Sequence, residues 1–196
     1  NDAATAFNEI KDMDYAVKVA YEFYKKHPKE TLIVVTADHE TGGIVLGTGN
    51  YALNLKVLQY QKHSSDGLSQ RISELRKSKG NKVTWEDMRT FLGEEMGFWK
   101  QFPVSWEQEK KLRDEFEKSF VKNKVVFAES MYSKSEPMAA RAKEVMDEIA
   151  MVGWVSGGHS AGYVPVFAIG AGSQLFGEKI DNTEIPKRIA KAAGYK

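Results

Sequence analysis

The stretch TLIVVTADHETGGIVLG, residues 31–47, places an apolar run directly before a polar pair. Residues 32–35 are apolar at every position, which is typical of a strand buried on both faces of a sheet that helices cover. Asp38 and His39 follow this run, and Gly42-Gly43 comes next. Glycine permits a tight turn and a close approach of the backbone to a ligand. The stretch therefore predicts an α/β fold that carries polar side chains at the end of a buried strand.

The segment before this strand predicts a helix over residues 12–27, because its apolar residues recur at helical spacing. Asp12 is the expected N-terminal cap. Pro28 predicts the end of the helix, since the residue before a proline disfavours the α conformation. A helix, a short loop and a buried strand in this order are the pattern of an α/β protein.

The C-terminal part of the chain carries the same pattern. Residues 164–169 predict a second buried strand, in which Pro165 is tolerated only near the start. Residues 182–193 predict a closing helix that Asp181, Asn182 or Thr183 caps, with Pro186 in its first turn.

Residues 51–152 have a different composition, which is rich in Lys, Glu, Leu and Met and has few patterns typical of strands. We predict a large, mainly helical insertion there, between residues 1–50 and 153–196 of the α/β domain. Its large apolar side chains recur near helical spacing, which favours a helical core over a cofactor site. These side chains are Trp85, Met88, Phe91, Trp99, Phe116 and Phe120.

Composition excludes several classes of function. The 196 residues carry 28 basic and 27 acidic side chains, and a formal net charge of +1 gives no electrostatic case for nucleic acid or an anionic membrane. The chain has no cysteine, which excludes disulfides and thiolate metal sites. No apolar run reaches the roughly 20 residues of a membrane span.

Asp38 and His39 are candidate metal ligands because ligands bind beyond the carboxyl ends of parallel strands in an open α/β sheet. Neighbouring strand residues point to opposite faces, so both side chains reach one ion only where the chain turns. The alternative is an exposed loop whose aspartate accepts hydrogen bonds and whose histidine is solvated. His159 lies among glycines immediately before the second strand, where an imidazole is better suited to zinc than to core packing. His27 and His63 are expected to be structural, since both lie near helix ends.

Three ordered motifs resemble the alkaline phosphatase family, in the bacterial branch that reads ADHETGG. Residues 34–43 resemble its metal-binding motif, residues 157–168 its later histidine segment, and residues 181–185 the start of its closing helix. Residues 1–4 resemble the segment directly after an earlier metal motif of that family. The resemblance implies a partial alkaline-phosphatase-like sheet flanked by helices.

The resemblance also implies the chemistry. Carried over by position in the family's motifs, Asp38 and His39 would bind one zinc ion of a two-zinc site, and His159 would bind the other. A pair of zinc ions suits the hydrolysis of phosphate monoesters. The family adds a magnesium ion and uses a serine nucleophile. It is usually exported and dimeric, so the resemblance implies an extracytoplasmic, periplasmic or secreted protein that forms a homodimer.

The family's serine, its magnesium ligands and its remaining zinc ligands would lie upstream of Asn1. We therefore expect no catalytic nucleophile in this chain, because Ser156 and Ser160 lack the family's context. We also expect an inactive chain that binds metal weakly or not at all, since three ligands divided between two zinc ions leave each ion short of four. An unpaired strand edge would favour self-association.

Two alternatives stay open from the residues. Sulfatases and phosphodiesterases share an Asp-His pair at a strand end, and their upstream nucleophile differs. The chain could instead be a non-catalytic metal-binding or interaction module whose helical insertion is the functional surface.

Overall fold

The computed structural model of the chain, which describes residues 1–49, 51–129 and 134–195, contains both helices and short strands. The helices are α1 (Ala3–Lys26), α2 (Ser65–Ser78), α3 (Trp85–Glu95), α4 (Trp106–Phe116), α5 (Pro137–Ala150) and α6 (Ile185–Ala192). The strands are β1 (Leu32–Val35), β2 (Ile44–Leu46), β3 (Ala128–Glu129), β4 (Lys134–Ser135), β5 (Val152–Trp154) and β6 (Phe167–Gly170). Mixed helices and small sheets agree with the predicted partial α/β class.

These elements belong to two compact units. The helical unit comprises Asn1–Phe7 and Ile44–Gly158, and the strand unit comprises Asn8–Gly43 and His159–Lys196. The domain boundaries that the sequence predicts, with an insertion at 51–152, stay a prediction.

The helical unit has the apolar core that its periodicity predicts. Along α5, Met138, Ala142, Val145 and Met146 follow the i, i+4, i+7, i+8 spacing of one helix face and are fully buried, so this face points into the core. The other predicted apolar positions join this core: Met88, Phe91, Phe116 and Phe120 are buried, and Trp85 and the turn residue Trp99 pack against the core. The expected helical core is confirmed.

Short strands complete the helical unit. β2 pairs with β5 in antiparallel fashion, with Ile44 opposite Trp154 and Leu46 opposite Val152. β3 and β4 form a second antiparallel pair. The predicted insertion therefore contains a strand pair, β3 and β4, that its sequence did not signal.

In the strand unit, β1 and β6 form an antiparallel pair, with Leu32 opposite Gly170 and Val35 opposite Phe167. The expectation of parallel strands is wrong for this pair. The second strand also begins later than predicted, at Phe167, since Pro165 has no backbone N–H to donate to a ladder. Among the described residues the pair has no third strand, so β1 is half-buried rather than covered on both faces.

Helix α1 begins at Ala3, nine residues before the predicted start. Asp2 caps it, because its carboxylate accepts a hydrogen bond from the Thr5 backbone N–H at 3.1 Å and another from the Thr5 hydroxyl at 2.9 Å. Asp12 lies exposed inside the helix and is not its cap. The predicted end is confirmed, since α1 stops at Lys26, before His27 and Pro28.

The C-terminal helix is confirmed, although α6 begins at Ile185 rather than at residue 182, and Asp181 caps the 3-10 turn that precedes it. The Asp181 carboxylate accepts a hydrogen bond from the Thr183 backbone N–H at 3.0 Å. A short 3-10 turn, Asn182–Glu184, leads into α6, which has Pro186 in its first turn. In the parts of the chain that the structure describes, no helix combines the length and the apolar composition needed to cross a membrane.

Candidate functional site

The antiparallel direction of β1 and β6 brings two loops of the strand unit to one edge. Val35, the last residue of β1, lies opposite Phe167, the first residue of β6. The loop after β1 therefore begins beside the point at which the segment before β6 ends. In a parallel pair, the start of β6 would lie beside the start of β1. The segment before β6 would then lie at the opposite edge from the loop after β1. The strand direction that the sequence pattern failed to predict is what brings these segments together.

His39 and His159 meet at this edge. Their ring centroids are 3.8 Å apart, and the ring planes are inclined by 33°. The two residues are 120 positions apart in the sequence, so the proximity comes from strand pairing and not from a local turn. The structure therefore brings together the two histidines that the sequence singles out.

Asp38 lies beside the same imidazole. Its Oδ2 is 3.3 Å from His39 Nε2, and its Oδ1 accepts a hydrogen bond from the His39 backbone N–H at 3.0 Å. The other ring nitrogen, Nδ1, lies 3.0 Å from the Glu40 backbone carbonyl. When Nδ1 carries the proton and donates to this carbonyl, the lone pair of Nε2 points to the same region as the aspartate oxygen.

These donors fit zinc in kind and in spacing. Bond lengths of about 2.0–2.2 Å put two donors of a tetrahedral zinc ion about 3.3–3.5 Å apart, and Asp38 Oδ2 and His39 Nε2 are 3.3 Å apart. They are too few, however, to complete a site. Outside residues 50, 130–133 and 196, which the structure does not describe, no group of three or more His, Cys, Asp or Glu is arranged to hold a metal ion.

Glycines shape the loop after β1. Gly42 and Gly43 have φ angles of 63° and 58°, in the left-handed region that residues other than glycine rarely adopt. The predicted turn is present, and it directs the Gly43 backbone N–H to the Glu40 carboxylate, at 2.5 Å from Oε1.

Glu40 is a residue of this site that the sequence pattern did not single out. Its Oε2 accepts a hydrogen bond from the Ser160 backbone N–H at 2.8 Å and a second from the Ser160 hydroxyl. The hydroxyl hydrogen bond is the main cause that lowers the pKa of the Glu40 carboxyl. The available signal was a carboxylate directly after the Asp-His pair, with a serine directly after the second histidine.

The hydroxyls of Ser156 and Ser160, the two serines near His159 in the sequence, both donate hydrogen bonds. The Ser160 hydroxyl donates to Glu40, and a carboxyl whose pKa is lowered is a poor general base. The Ser156 hydroxyl donates to the Gly158 backbone carbonyl at 3.1 Å.

The remaining histidines make structural contacts. His63 Nε2 lies 3.0 Å from Glu95 Oε2 within the helical unit. The His27 ring, just after the last turn of α1, packs on Phe23 with 4.7 Å between ring centroids. Both contacts agree with the structural role expected for these residues.

Comparisons with known proteins agree on one family. The model of the alkaline phosphatase family matches residues 1–195. Alkaline phosphatase 3 of Bacillus subtilis (strain 168) is 31% identical over 206 residues, which span 100% of this chain and 37% of the relative. Alkaline phosphatase 4 of the same organism is 28% identical over 192 residues, 97% of this chain and 35% of the relative.

A solved structure shows the same fold. A cold-active alkaline phosphatase from the psychrophile Shewanella sp. superposes with a TM-score of 0.66 at 24% identity, over 97% of this chain and 41% of that protein. The chain thus spans between a third and a half of the length of these relatives.

Proposed function

This chain belongs to the alkaline phosphatase family, and we propose that it forms part of a metal-dependent phosphomonoester hydrolase to which it contributes zinc ligands. Asp38 and His39 are the proposed ligands of one zinc ion, and His159 of a second. The observation that carries this proposal is the contact between the His39 and His159 rings, whose centroids are 3.8 Å apart.

Residues of the loop after β1 orient the His39 imidazole. The Gly42-Gly43 turn folds the loop back after β1, and the Glu40 carbonyl lies at hydrogen-bonding distance from His39 Nδ1. That contact orients the imidazole and leaves Nε2 facing the same region as Asp38. When bound, zinc would supply a Lewis acid for the phosphoryl oxygens of the substrate.

The rest of the catalytic machinery belongs to the proposal as well. We infer that the serine nucleophile, the magnesium ligands and the remaining zinc ligands lie outside these 196 residues, so that this chain alone is inactive. The share of the relatives that the chain spans, 37% and 35%, supports this inference. The family match favours phosphate monoesters as substrates over the sulfatase and phosphodiesterase alternatives. The homodimer and the extracytoplasmic location stay predictions.

The proposal is tested by titrating the purified chain with zinc in a calorimeter. We expect weak binding that His39→Ala and His159→Ala each reduce by about tenfold or more, since each removes a ligand. His27→Ala is the matched control, because its exposed imidazole packs on Phe23, and its zinc affinity should equal that of the wild type.

A hydrolysis assay with p-nitrophenyl phosphate completes the test. We expect no turnover by the chain, with or without added zinc. Turnover that a chelator abolishes would disprove the inferred inactivity. Zinc binding that neither His39→Ala nor His159→Ala weakens would disprove the ligand assignment.

A further inference from the structure

The Glu40 carboxylate joins the two segments of the candidate site. On one side it accepts a hydrogen bond from the Gly43 N–H, within its own loop. On the other side it accepts two hydrogen bonds from Ser160, the residue next to His159. Hydrogen bonds to an ionised acceptor are among the stronger ones in proteins. One side chain therefore holds two segments that are 120 residues apart in the sequence.

The segment around His159 is rich in glycine and mostly exposed. Among the described residues of their own unit, a Cβ added at Gly157 or Gly158 would meet no atom within 4 Å. Regular pairing begins only at Phe167. Between these points, the Thr36 hydroxyl donates to the Pro165 carbonyl at 3.0 Å. An exposed segment of this kind depends on hydrogen bonds more than on packing for its position.

The space around Glu40 is shaped for its side chain. A Cβ added at Gly162 would lie 3.1 Å from Glu40 Cγ, which is closer than an ordinary contact. The Gly162 N–H in turn lies 3.3 Å from the Ser160 hydroxyl oxygen. Glycine at this position lets the segment wrap around the carboxylate.

We propose that Glu40 is a positioning residue, which clamps the His159 segment to the loop after β1 and so holds the His159 ring against His39. Both Glu40 oxygens accept hydrogen bonds from the protein itself. It therefore acts through the histidines and not as a ligand. Its importance for zinc rests on the proposed function, whereas the clamp itself needs no metal.

Two-dimensional NMR of the metal-free chain at about pH 8 tests the clamp, since Glu40 is then ionised. The nuclear Overhauser cross-peak between the ring protons of His39 and His159 should be present in the wild type and lost in Glu40→Ala. Glu40→Gln keeps an acceptor oxygen without the charge, so its cross-peak should persist at reduced intensity. Ser160→Ala removes one of the two donors and should also weaken the cross-peak.

Glu30→Ala is the matched control, because Glu30 is an exposed glutamate of the same unit whose carboxylate lies 3.9 Å from His27 Nδ1. Its cross-peak should match that of the wild type. An undiminished cross-peak in Glu40→Ala would overturn the proposal. If circular dichroism shows that Glu40→Ala is unfolded, Glu40→Gln takes its place. A weaker cross-peak in Glu40→Gln would support the clamp, and an unchanged cross-peak would overturn it.

A zinc titration of the same variants separates this inference from the proposed function. Zinc affinity should fall by about 10-fold to 100-fold in Glu40→Ala, as is usual when a group that orients a metal ligand is removed. Equal zinc affinities of the wild type and Glu40→Ala would overturn the positioning role. A wild type that binds no zinc, but whose cross-peak depends on Glu40, would support the clamp and contradict the weak zinc binding that the proposed function expects of this chain.

Discussion

Asp147 is a buried carboxylate of the helical unit that accepts a hydrogen bond from Trp154 Nε1 at 2.7 Å. Burial raises the pKa of its carboxyl from 3.8 to about 6, and the neighbouring carboxylate of Asp2 contributes to the rise. The Trp154 hydrogen bond and the Lys143 ammonium oppose this rise without cancelling it. The fold therefore favours the neutral form of this carboxyl more than the unfolded chain does.

We predict that Asp147 makes the helical unit less stable as the pH rises from about 4 to about 6. In this range the native carboxyl binds a proton that the unfolded chain has released, so ionisation favours unfolding. Above about pH 6 the loss is complete. A rise of about two pKa units corresponds to about 3 kcal/mol at most. Urea denaturation at about pH 4, 5, 6 and 7 measures the effect.

Asp147→Asn provides the comparison, because the amide oxygen still accepts from Trp154 and carries no charge. At about pH 7 this variant should be more stable than the wild type, and the difference should vanish near about pH 4. Asp12→Asn, at an exposed position of α1, should follow the wild-type curve. Identical pH dependence in Asp147→Asn and the wild type would contradict the prediction.

Among the secondary-structure elements, α1 is the helix whose N-terminal cap the sequence pattern places at the wrong residue. Asp2 and Asp12 both precede helical periodicity, and the sequence pattern favoured Asp12. The structure selects Asp2, whose carboxylate also accepts hydrogen bonds from Gln61 Nε2 and the Ser65 N–H, at 2.9 Å each. A cap that also binds a second segment is worth more than a local one.

We predict that Asp2→Ala destabilises the helical unit by about 2 kcal/mol, since it removes the cap of α1 and leaves other donors unpaired. Asp12→Ala is the matched control and should change stability by less than about 0.5 kcal/mol, because its side chain is exposed. Urea denaturation at neutral pH measures both. Equal losses in the two variants would show that Asp2 does not act as the cap.

At the scale of the whole molecule, burial is uneven between the two units. Among the described residues, every buried apolar side chain except Phe176 belongs to the helical unit. In the strand unit, Phe167 at the start of β6 stays 63% exposed. Since apolar burial is the main source of stability, the two units should differ in how readily they open.

We predict that native-state hydrogen exchange resolves this difference. The slowest amides of α5 should exchange roughly 100-fold more slowly than the slowest amides of β1 and β6, equivalent to about 2.8 kcal/mol of opening free energy. The fully buried Met146 and the half-buried Ile33 are suitable reporters. Equal protection of both sets would show that the chain opens as one cooperative unit.

The local features of this protein follow from its amino-acid sequence. The apolar run at 32–35, the Gly42-Gly43 turn and the core face of the insertion helices follow from side-chain type and spacing, which act over a few residues. The same holds for the choice of Asp38, His39 and His159 as candidate donors, and for the family that their motifs resemble.

The contacts between distant groups depend on tertiary packing. The antiparallel direction of β1 and β6 puts His159 against His39, and the bond from Ser160 to Glu40 joins the same two segments. The raised pKa of Asp147 likewise comes from burial among residues far along the chain. Such contacts form between residues that are distant in the sequence, and a pattern of neighbouring residues does not specify them.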